Sequence, residues 1–386
     1  MTTTLIFSKS RVLAILAAAS AVTLSLSACN KAVTGEIQIG EVGSMTGSEA
    51  TFGTSTHNGI VLAVKQLNDA GGINGKKVNV TSLDDQGKPE EAATAVTKLI
   101  TQNKVIAILG EVASSRSLAM APIAQQNKVV MITPSSTNPK VTEQGDYIFR
   151  VCFIDPFQGT VMARFANENL KAKKVAILRD VKNDYSVGLA NYFTETFKKA
   201  GGEIVIDQSY SAGDIDFKSQ LTAIRTKMPD AIFVPGYYTE VGLIARQAKE
   251  LGLKAPLMGG DGWDSSKLTE IGGEAINGSF FSNHYSPEDK APQVQKFIAD
   301  YKAMFGSVPD GLAAMGYDAA IVLFYAMKKS GDLSPVKMRE ALAVLKDFQG
   351  VTGKITMDKN RNPVKSAVVL KVEGANFKYV STVNPQ

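Results

Sequence analysis

Cysteine, histidine and tryptophan are scarce in this chain of 386 residues, with two, two and one respectively. Cys29 and Cys152 are too few for a disulfide framework, and His57 and His284 are too few for a zinc centre or a Ser–His mechanism. A strong charge of one sign is also missing. Lysine and arginine number 42 against 37 acidic residues, a formal +5, and the basic residues are scattered, which argues against a nucleic-acid partner. No P-loop, no G-x-S-x-G elbow and no G-x-G-x-x-G after the first strand is present. Ser334-x-x-Lys337 has the spacing of a penicillin-binding serine motif, but no Lys-Thr-Gly accompanies it, so Ser334 reads as the start of a helix carrying Met338 and Leu342. The Asp84-Asp85 and Asp214/Asp216 pairs read as solvated loop ends, His57 as a helix-surface residue and Cys152 as a buried, unpaired thiol. Nothing points to catalysis or to a cofactor.

What is present begins with a leader. Lys9 and Arg11 precede an apolar segment, Val12 to Leu26, that is short and alanine-rich for a membrane span and ends in Leu26-Ser27-Ala28-Cys29. That tetrapeptide resembles the bacterial lipobox, which implies removal of residues 1–28, lipidation of Cys29 and a short tether over residues 29–36. The expected location is the periplasm or cell surface, held at a membrane by the lipid. Export also separates the chain from cytoplasmic ATP and NAD.

Gly110 to Thr142 organises the rest. Val105–Leu109 reads as a buried strand ending at glycine and then at Ala113-Ser114-Ser115. After one helix, Val129–Thr133 reads as a second strand, ending at Pro134-Ser135-Ser136-Thr137-Asn138-Pro139. Two neighbouring strands thus end at one edge with hydroxyl side chains. Such edges of open α/β sheets hold ligands, and free N–H groups at a helix start suit a carboxylate. Helix capping and a plain turn are the competing explanation for each loop alone.

Strand–helix pairs with short connections recur along the chain, which predicts parallel sheets covered by helices on both faces. Ile37–Val42 and Val78–Leu83 are strands, with a helix bearing Ile60, Val64 and Leu67 between them that stops at Gly71-Gly72. The pattern restarts after Tyr147–Phe153. Strands follow at Lys174–Leu178, Ile204–Ile206, Ala231–Val234 and Pro256–Met258, the last two ending at Gly236-Tyr237-Tyr238 and Gly260-Asp261-Gly262. Long helices around Val294–Phe305 and Leu312–Lys329 precede strand-like Gly353–Met357 and Ala367–Val372. The tail packs most simply if the chain recrosses between two lobes, with a small-ligand site between them.

Several motifs together resemble the leucine/isoleucine/valine-binding proteins that serve ABC transporters. They are Gly43-Ser44-Met45-Thr46-Gly47, Asp69-Ala70-Gly71-Gly72-Ile73-Asn74-Gly75, the two serine loops, and Gly236-Tyr237-Tyr238-Thr239-Glu240. The resemblance covers Ile37 to about Tyr379. It implies an α/β type 1 periplasmic binding protein: two Rossmann-like lobes joined by a three-segment hinge, with crossings near Arg150–Cys152, Ser282–His284 and Val351–Thr356. The first lobe would take residues 37–150 and 283–352. The second would take 151–282, completed by 353–386.

The same resemblance places a ligand carboxylate on Ser114 and Thr137, with backbone groups of Ser135 and Ser136 and with Ala113 alongside. It places an ammonium on Asp261, where the family often has the longer glutamate, and sets Phe52, Tyr185 and Tyr237 as walls. A first-lobe disulfide of some relatives falls on Gly87 and Ala113 and is therefore absent. The expected ligand is an amino acid, branched-chain or another small aliphatic one. The expected partners are an ABC permease with its ATPase subunits, and the chain is expected to be a monomer. A ligand-sensing domain acting with a receptor is the alternative. Physically, a buried zwitterion needs both charges answered. Hydrogen bonds to charged groups contribute about 1.5–3 kcal/mol each, so four or five are compatible with micromolar binding after ordering costs.

Overall fold

The computed structural model describes residues 1–2 and 35–385. Cys29 and most of the expected leader and tether lie outside the described residues.

The first sheet is built from β1 (Ile37–Gly43), β2 (Val78–Asp84), β3 (Ala107–Leu109), β4 (Val130–Thr133) and β5 (Ile148–Arg150), in the order β2-β1-β3-β4-β5. Every pairing is parallel. Helices α1 (Ala50–Asp69), α2 (Pro89–Thr101), α3 (Ser114–Gln126) and the short α4 (Lys140–Glu143) connect these strands. Pro89 opens α2, where its missing N–H costs nothing. Val96, Leu99, Ile108, Met120 and Met131 form the core on one face of the sheet.

The other face is covered partly from much later in the chain. Ile39, Ile60 and Phe149 pack with Met315, Leu323, Met338 and Ile355. Gly59 of α1 lies where a side chain would strike the Ala313 carbonyl, and Gly316 where one would strike the Thr56 carbonyl. The pair lets α1 meet the late helix backbone to backbone.

The second lobe holds α5 (Asp155–Glu168), β6 (Lys174–Asp180), α6 (Asp184–Lys199), β7 (Glu203–Tyr210), α7 (Lys218–Thr226), β8 (Ala231–Phe233), α8 (Tyr238–Glu250), β9 (Leu257–Gly259), α9 (Ser266–Gly272) and β10 (Phe280–Asn283). Asn183 caps α6 by accepting from the Tyr185 N–H at 3.0 Å. The chain then returns as α10 (Pro292–Phe305), α11 (Gly311–Ser330), α12 (Pro335–Ala343) and the hairpin β11 (Phe348–Gly350)–β12 (Gly353–Ile355), and ends in β13 (Ala367–Glu373) and β14 (Asn376–Val383). Ser334 caps α12 through the Lys337 N–H.

The second sheet runs β14-β13-β10-β9-β8-β6-β7. Strands β6 to β10 pair in parallel, and β13 and β14 add antiparallel at one edge. The reversal follows from the path: β10 runs toward the hinge and β13 starts from it. The centre of the sheet is parallel as expected and becomes mixed only at the β13–β14 edge; the strands β10, β11 and β14 were not read from the pattern.

Two crossings lie after β5 and after β10. The third falls at 358–366, somewhat later than Val351–Thr356, because Ile355 and Met357 still pack in the first-lobe core while Ala367 packs in the second. Lys365 ties the crossings together, donating to the Val151 carbonyl at 3.3 Å and to Thr352 Oγ1. Asp318 accepts from the Val351 and Thr352 N–H groups at 2.7 and 2.9 Å, which anchors the β11–β12 turn to α11.

Candidate functional site

The parallel strands of both sheets aim their carboxyl ends at one cleft, and the two walls meet across it. Ser115 Oγ donates to Asp184 Oδ2 at 2.9 Å and accepts from the Asp184 N–H at 3.0 Å. Thr239 Oγ1 donates to the Ser48 carbonyl at 2.7 Å, and Thr51 and Ser265 share a hydroxyl contact at 2.9 Å. Phe52, Val112, Ala113 and Leu312 of the first lobe are part of the second lobe's hydrophobic cluster. The two lobes are closed on each other.

Between them lies a narrow cavity of about 10 Å³ lined by Phe52, Val112, Ser114, Ser135, Tyr185, Tyr237, Asp261, Gly262 and Leu312. That is room for about one water molecule, far below the roughly 300–1,000 Å³ of ligand pockets, so the lobes must part for a ligand to enter. A larger hollow along the hinge is bordered by exposed Glu288, Asp289 and Lys290, whereas every residue lining the interlobe cavity is buried. The interlobe cavity is also the one at the strand ends.

The second-lobe wall is aromatic with one charge. Phe52 meets Tyr237 edge-on at 5.2 Å between centroids, and Tyr185 stacks on Tyr237 at 5.4 Å. Gly262 fits between these tyrosines, where a side chain would collide with the Tyr237 ring. Asp261 sits in the short 3-10 turn after β9 and is 5% exposed. Its Oδ1 accepts from Gln158 Nε2 at 2.7 Å; its Oδ2 accepts from Ser135 Oγ at 3.3 Å and faces His284 Nε2 at 3.0 Å. Burial pushes its carboxyl up, but the bonds from His284, Gln158 and Tyr185 outweigh that and hold it below the usual carboxylate range. Asp261 is therefore a buried anion with no fixed cation among its partners: Gln158, Ser135 and Tyr185 are neutral donors, and His284 adds a charge only when protonated.

The first-lobe wall works differently. Ser114 is not a helix cap; Ala113 holds that position, and Ser114 Oγ accepts from the Asn138 N–H at 3.1 Å, joining the two serine loops. Ser136 serves the loop itself. Its N–H donates to Thr133 Oγ1 at 2.9 Å and its hydroxyl donates to the Glu111 and Val112 carbonyls, so Ser136 does not line the cavity. Ala113 and Thr137 are buried beside the cavity without lining it. Thr137 Oγ1 makes no well-formed hydrogen bond among the described residues.

Behind this wall one guanidinium gathers three carboxylates. Arg116 reaches Glu49 at 2.7 Å, Glu111 at 2.9 Å and Asp85 at 3.8 Å, all in the interior. It also donates to the Gly87 carbonyl at 3.4 Å, while Glu111 accepts from the Ala113 N–H. Residues 87 and 113, where some relatives would carry a disulfide, are thus linked through Arg116 and Glu111. Burial and the Asp85 charge push Glu111 up to about 7 against the pull of Arg116.

This network corrects the reading of Asp85 as a solvated loop end: it is fully buried, bonded to Ser44 Oγ at 2.7 Å. His57 is also more than a surface residue, since its Nδ1 lies 2.7 Å from buried Glu41. His284, Gln158 and Asp155 were not foreseen as site residues. Asp155-x-x-Gln158 on the first turn of α5 carries a readable signal, two polar residues three apart on one helix face.

A family model for periplasmic binding proteins matches residues 36–376, nearly the whole described chain. The chain belongs to the periplasmic binding protein family. Like its family, this binding protein is not an enzyme. Among the described residues no group of three or more His, Cys, Asp or Glu could hold a metal ion. It is 32% identical over 84% of its length to a leucine-, isoleucine-, valine-, threonine- and alanine-binding protein of Pseudomonas aeruginosa, covering 86% of that relative.

Among solved structures, a leucine-binding protein of Thermotoga maritima is similar with 42% identity and a TM-score of 0.87, over 90% of this chain and 99% of that one. A branched-chain amino acid substrate-binding protein of Streptococcus pneumoniae, in complex with isoleucine, gives 35% identity and a TM-score of 0.87, over 91% and 100%. The two-lobed α/β fold and the relation to Leu/Ile/Val-binding proteins are thereby established for this binding protein.

Proposed function

We propose that this binding protein takes up one small aliphatic amino acid, branched-chain in the first instance, between its lobes and presents it to an ABC permease and its ATPase subunits. The observation that carries the reading is the buried, ionised Asp261, which lines one small interlobe cavity together with Ser114 and Ser135 of the two serine loops. The carboxylate answers a ligand ammonium, and Ser114, with Thr137 and backbone N–H groups, answers the ligand carboxylate. Phe52, Tyr185 and Tyr237 exclude water and contact the aliphatic side chain. Burying a charge without such partners is prohibitive, so a neutral or singly charged solute fits this arrangement less well.

Closure over the ligand, through contacts from both lobes, alters the face presented to the permease. The names of the relatives, which bind leucine, isoleucine, valine, threonine and alanine, support the same ligand class.

Calorimetric titration of the chain with these five amino acids tests the reading. At least one binds with a micromolar or tighter constant, and Asp261→Asn weakens it at least tenfold, since a hydrogen bond to a charged partner contributes about 1.5–3 kcal/mol. No binding to any of the five, or full affinity in Asp261→Asn, overturns the assignment. We infer also that Cys29 carries a lipid anchor. Cys29→Ala then moves the protein from the membrane to the soluble fraction with affinity unchanged, and continued membrane association rules the anchor out.

A further inference from the structure

Resting on the reading of Asp261 as the ammonium acceptor, we propose that His284 is a positioning residue for ligand binding: it holds Asp261 as a bare anion by donating from Nε2, and links that anion to the hinge. His284 does not line the cavity; it acts through Asp261.

The geometry carries this. His284 is the residue directly after β10, at the second crossing, and its side chain is wholly buried. Its ring lies against Phe153 of the first crossing, with centroids 3.8 Å apart and planes inclined at 32°. Its backbone N–H is held by Asn283 Oδ1 at 2.7 Å. Ring and backbone are therefore both immobilised, with Nε2 aimed at Asp261 Oδ2 3.0 Å away.

The protonation state follows from the partners. An ionised carboxylate only accepts, so Nε2 carries the hydrogen. Nδ1 has no hydrogen-bond partner among the described residues. A second proton there would place an unpartnered N–H in the interior, and burial, aided by the Lys365 charge, lowers the imidazole pKa below its ordinary value against the opposing pull of Asp261. A neutral imidazole donates without cancelling the negative charge. Gln158 and Ser135 are likewise neutral donors to the same carboxylate.

The charge on Asp261 is therefore left for the ligand, while its position is set by four side chains, His284, Gln158, Tyr185 and Ser135. Had an arginine or lysine stood at residue 284, the anion would already be paired. The arrangement also explains how the shorter aspartate is held rigidly at this strand end: its oxygens are occupied from α5, from the second crossing and from the opposite lobe. A ligand ammonium that draws on Asp261 thereby acts on the hinge segment as well as on the two walls.

The groups facing Asp261 are His284 after β10, Tyr185 on α6, Gln158 and Asp155 on α5, Ser135 after β4 and Cys152 in the first crossing. Of these His284 and Tyr185 are titratable donors to Asp261, burial holding the Tyr185 hydroxyl protonated, and the Asp264 carboxyl on the same turn also feels the Asp261 charge. Loss of the His284 N–H raises the Asp261 pKa, so proton competition with the ligand sets in at higher pH.

The test is calorimetry of the full chain with leucine between pH 4 and 8, on wild type, His284→Gln, His284→Asn and His284→Leu. The Gln amide reaches the place of Nε2 and keeps the donor; the Asn amide stops short. Expected is leucine affinity within about threefold of wild type for Gln, and at least tenfold weaker binding for Asn and Leu, with their acid limb moved to higher pH. Equal affinity and an unshifted pH profile in Leu and Asn overturn the proposal. So does Gln losing as much as Leu with no pH shift, the signature of lost packing. Should Leu fail to fold, the Gln–Asn pair decides by the same criteria. Asp261→Asn separates the two readings: loss of binding there with wild-type behaviour in the His284 variants sinks this inference and leaves the amino-acid site standing.

Discussion

The two walls of the cleft each bury carboxylates and treat them in opposite ways. In the first lobe Glu49, Asp85 and Glu111 share the single charge of Arg116, and Glu111 is pushed up to about 7. In the second lobe Asp261 is served by neutral donors and keeps its charge. The first arrangement holds a loop in shape; the second leaves an anion with work still to do. A buried carboxylate near a cleft is thus not by itself a ligand group. The charge state of its neighbours decides, and the same comparison separates Ser114, which faces the cavity, from Ser136, which faces its own loop.

The sharpest way to break this comparison is Arg116→Met. Removing the one cation leaves three interior carboxylates without a countercharge, and loss of one member of a buried pair costs about 3–5 kcal/mol. Urea denaturation should show a fall of that size. A change below 1 kcal/mol would mean the cluster is not what holds the serine loops, and the contrast between the walls would lapse.

Thr137→Val sharpens the comparison with a smaller effect. The hydroxyl makes no well-formed hydrogen bond among the described residues but lies against the buried Asp155 carboxyl, so the isosteric replacement should lower the denaturation midpoint only slightly. Binding of the amino acid should weaken about tenfold, as expected for one lost bond to a charged group. The reverse pattern, lost stability with intact affinity, would assign Thr137 to the scaffold.

Asp155 gives the mildest test. Burial pushes its carboxyl up from the ordinary 3.8 to about 8. Between those values the folded chain holds a proton that the unfolded chain releases, so this group's contribution to stability falls as pH rises through that window. Asp155→Asn should flatten the decline measured from urea midpoints at pH 5 and pH 8. An unaltered slope would show that Asp155 is ionised in the folded chain.

Much of this was legible in the chain. The strand ends at Leu109 and Thr133, the glycine-rich stop at Asp261 and the aromatic Tyr237 all carry local signals, because apolar runs ending in turn residues mark a parallel sheet's active edge. The resemblance to a known family added which of those residues to set beside a ligand. What was not legible depends on contacts far apart in sequence. Arg116 meets Glu49 and Asp85 across three connections, and His284 meets Asp261 only because β10 pairs with β9. The antiparallel β13 and β14 were obscured for a related reason: their direction is set by the side from which the chain re-enters, which periodicity does not encode.

The backbone-to-backbone meeting of α1 and α11 through Gly59 and Gly316 has a consequence for how the molecule comes into being. A helix from the first fifth of the polypeptide finds its partner only in the last quarter. The lobe that begins earliest therefore cannot seal early, and until the late helix emerges its sheet has one apolar side uncovered. A nascent chain of this kind stays threadable for most of its synthesis, and maturation is governed by the arrival of that late segment rather than by order of appearance.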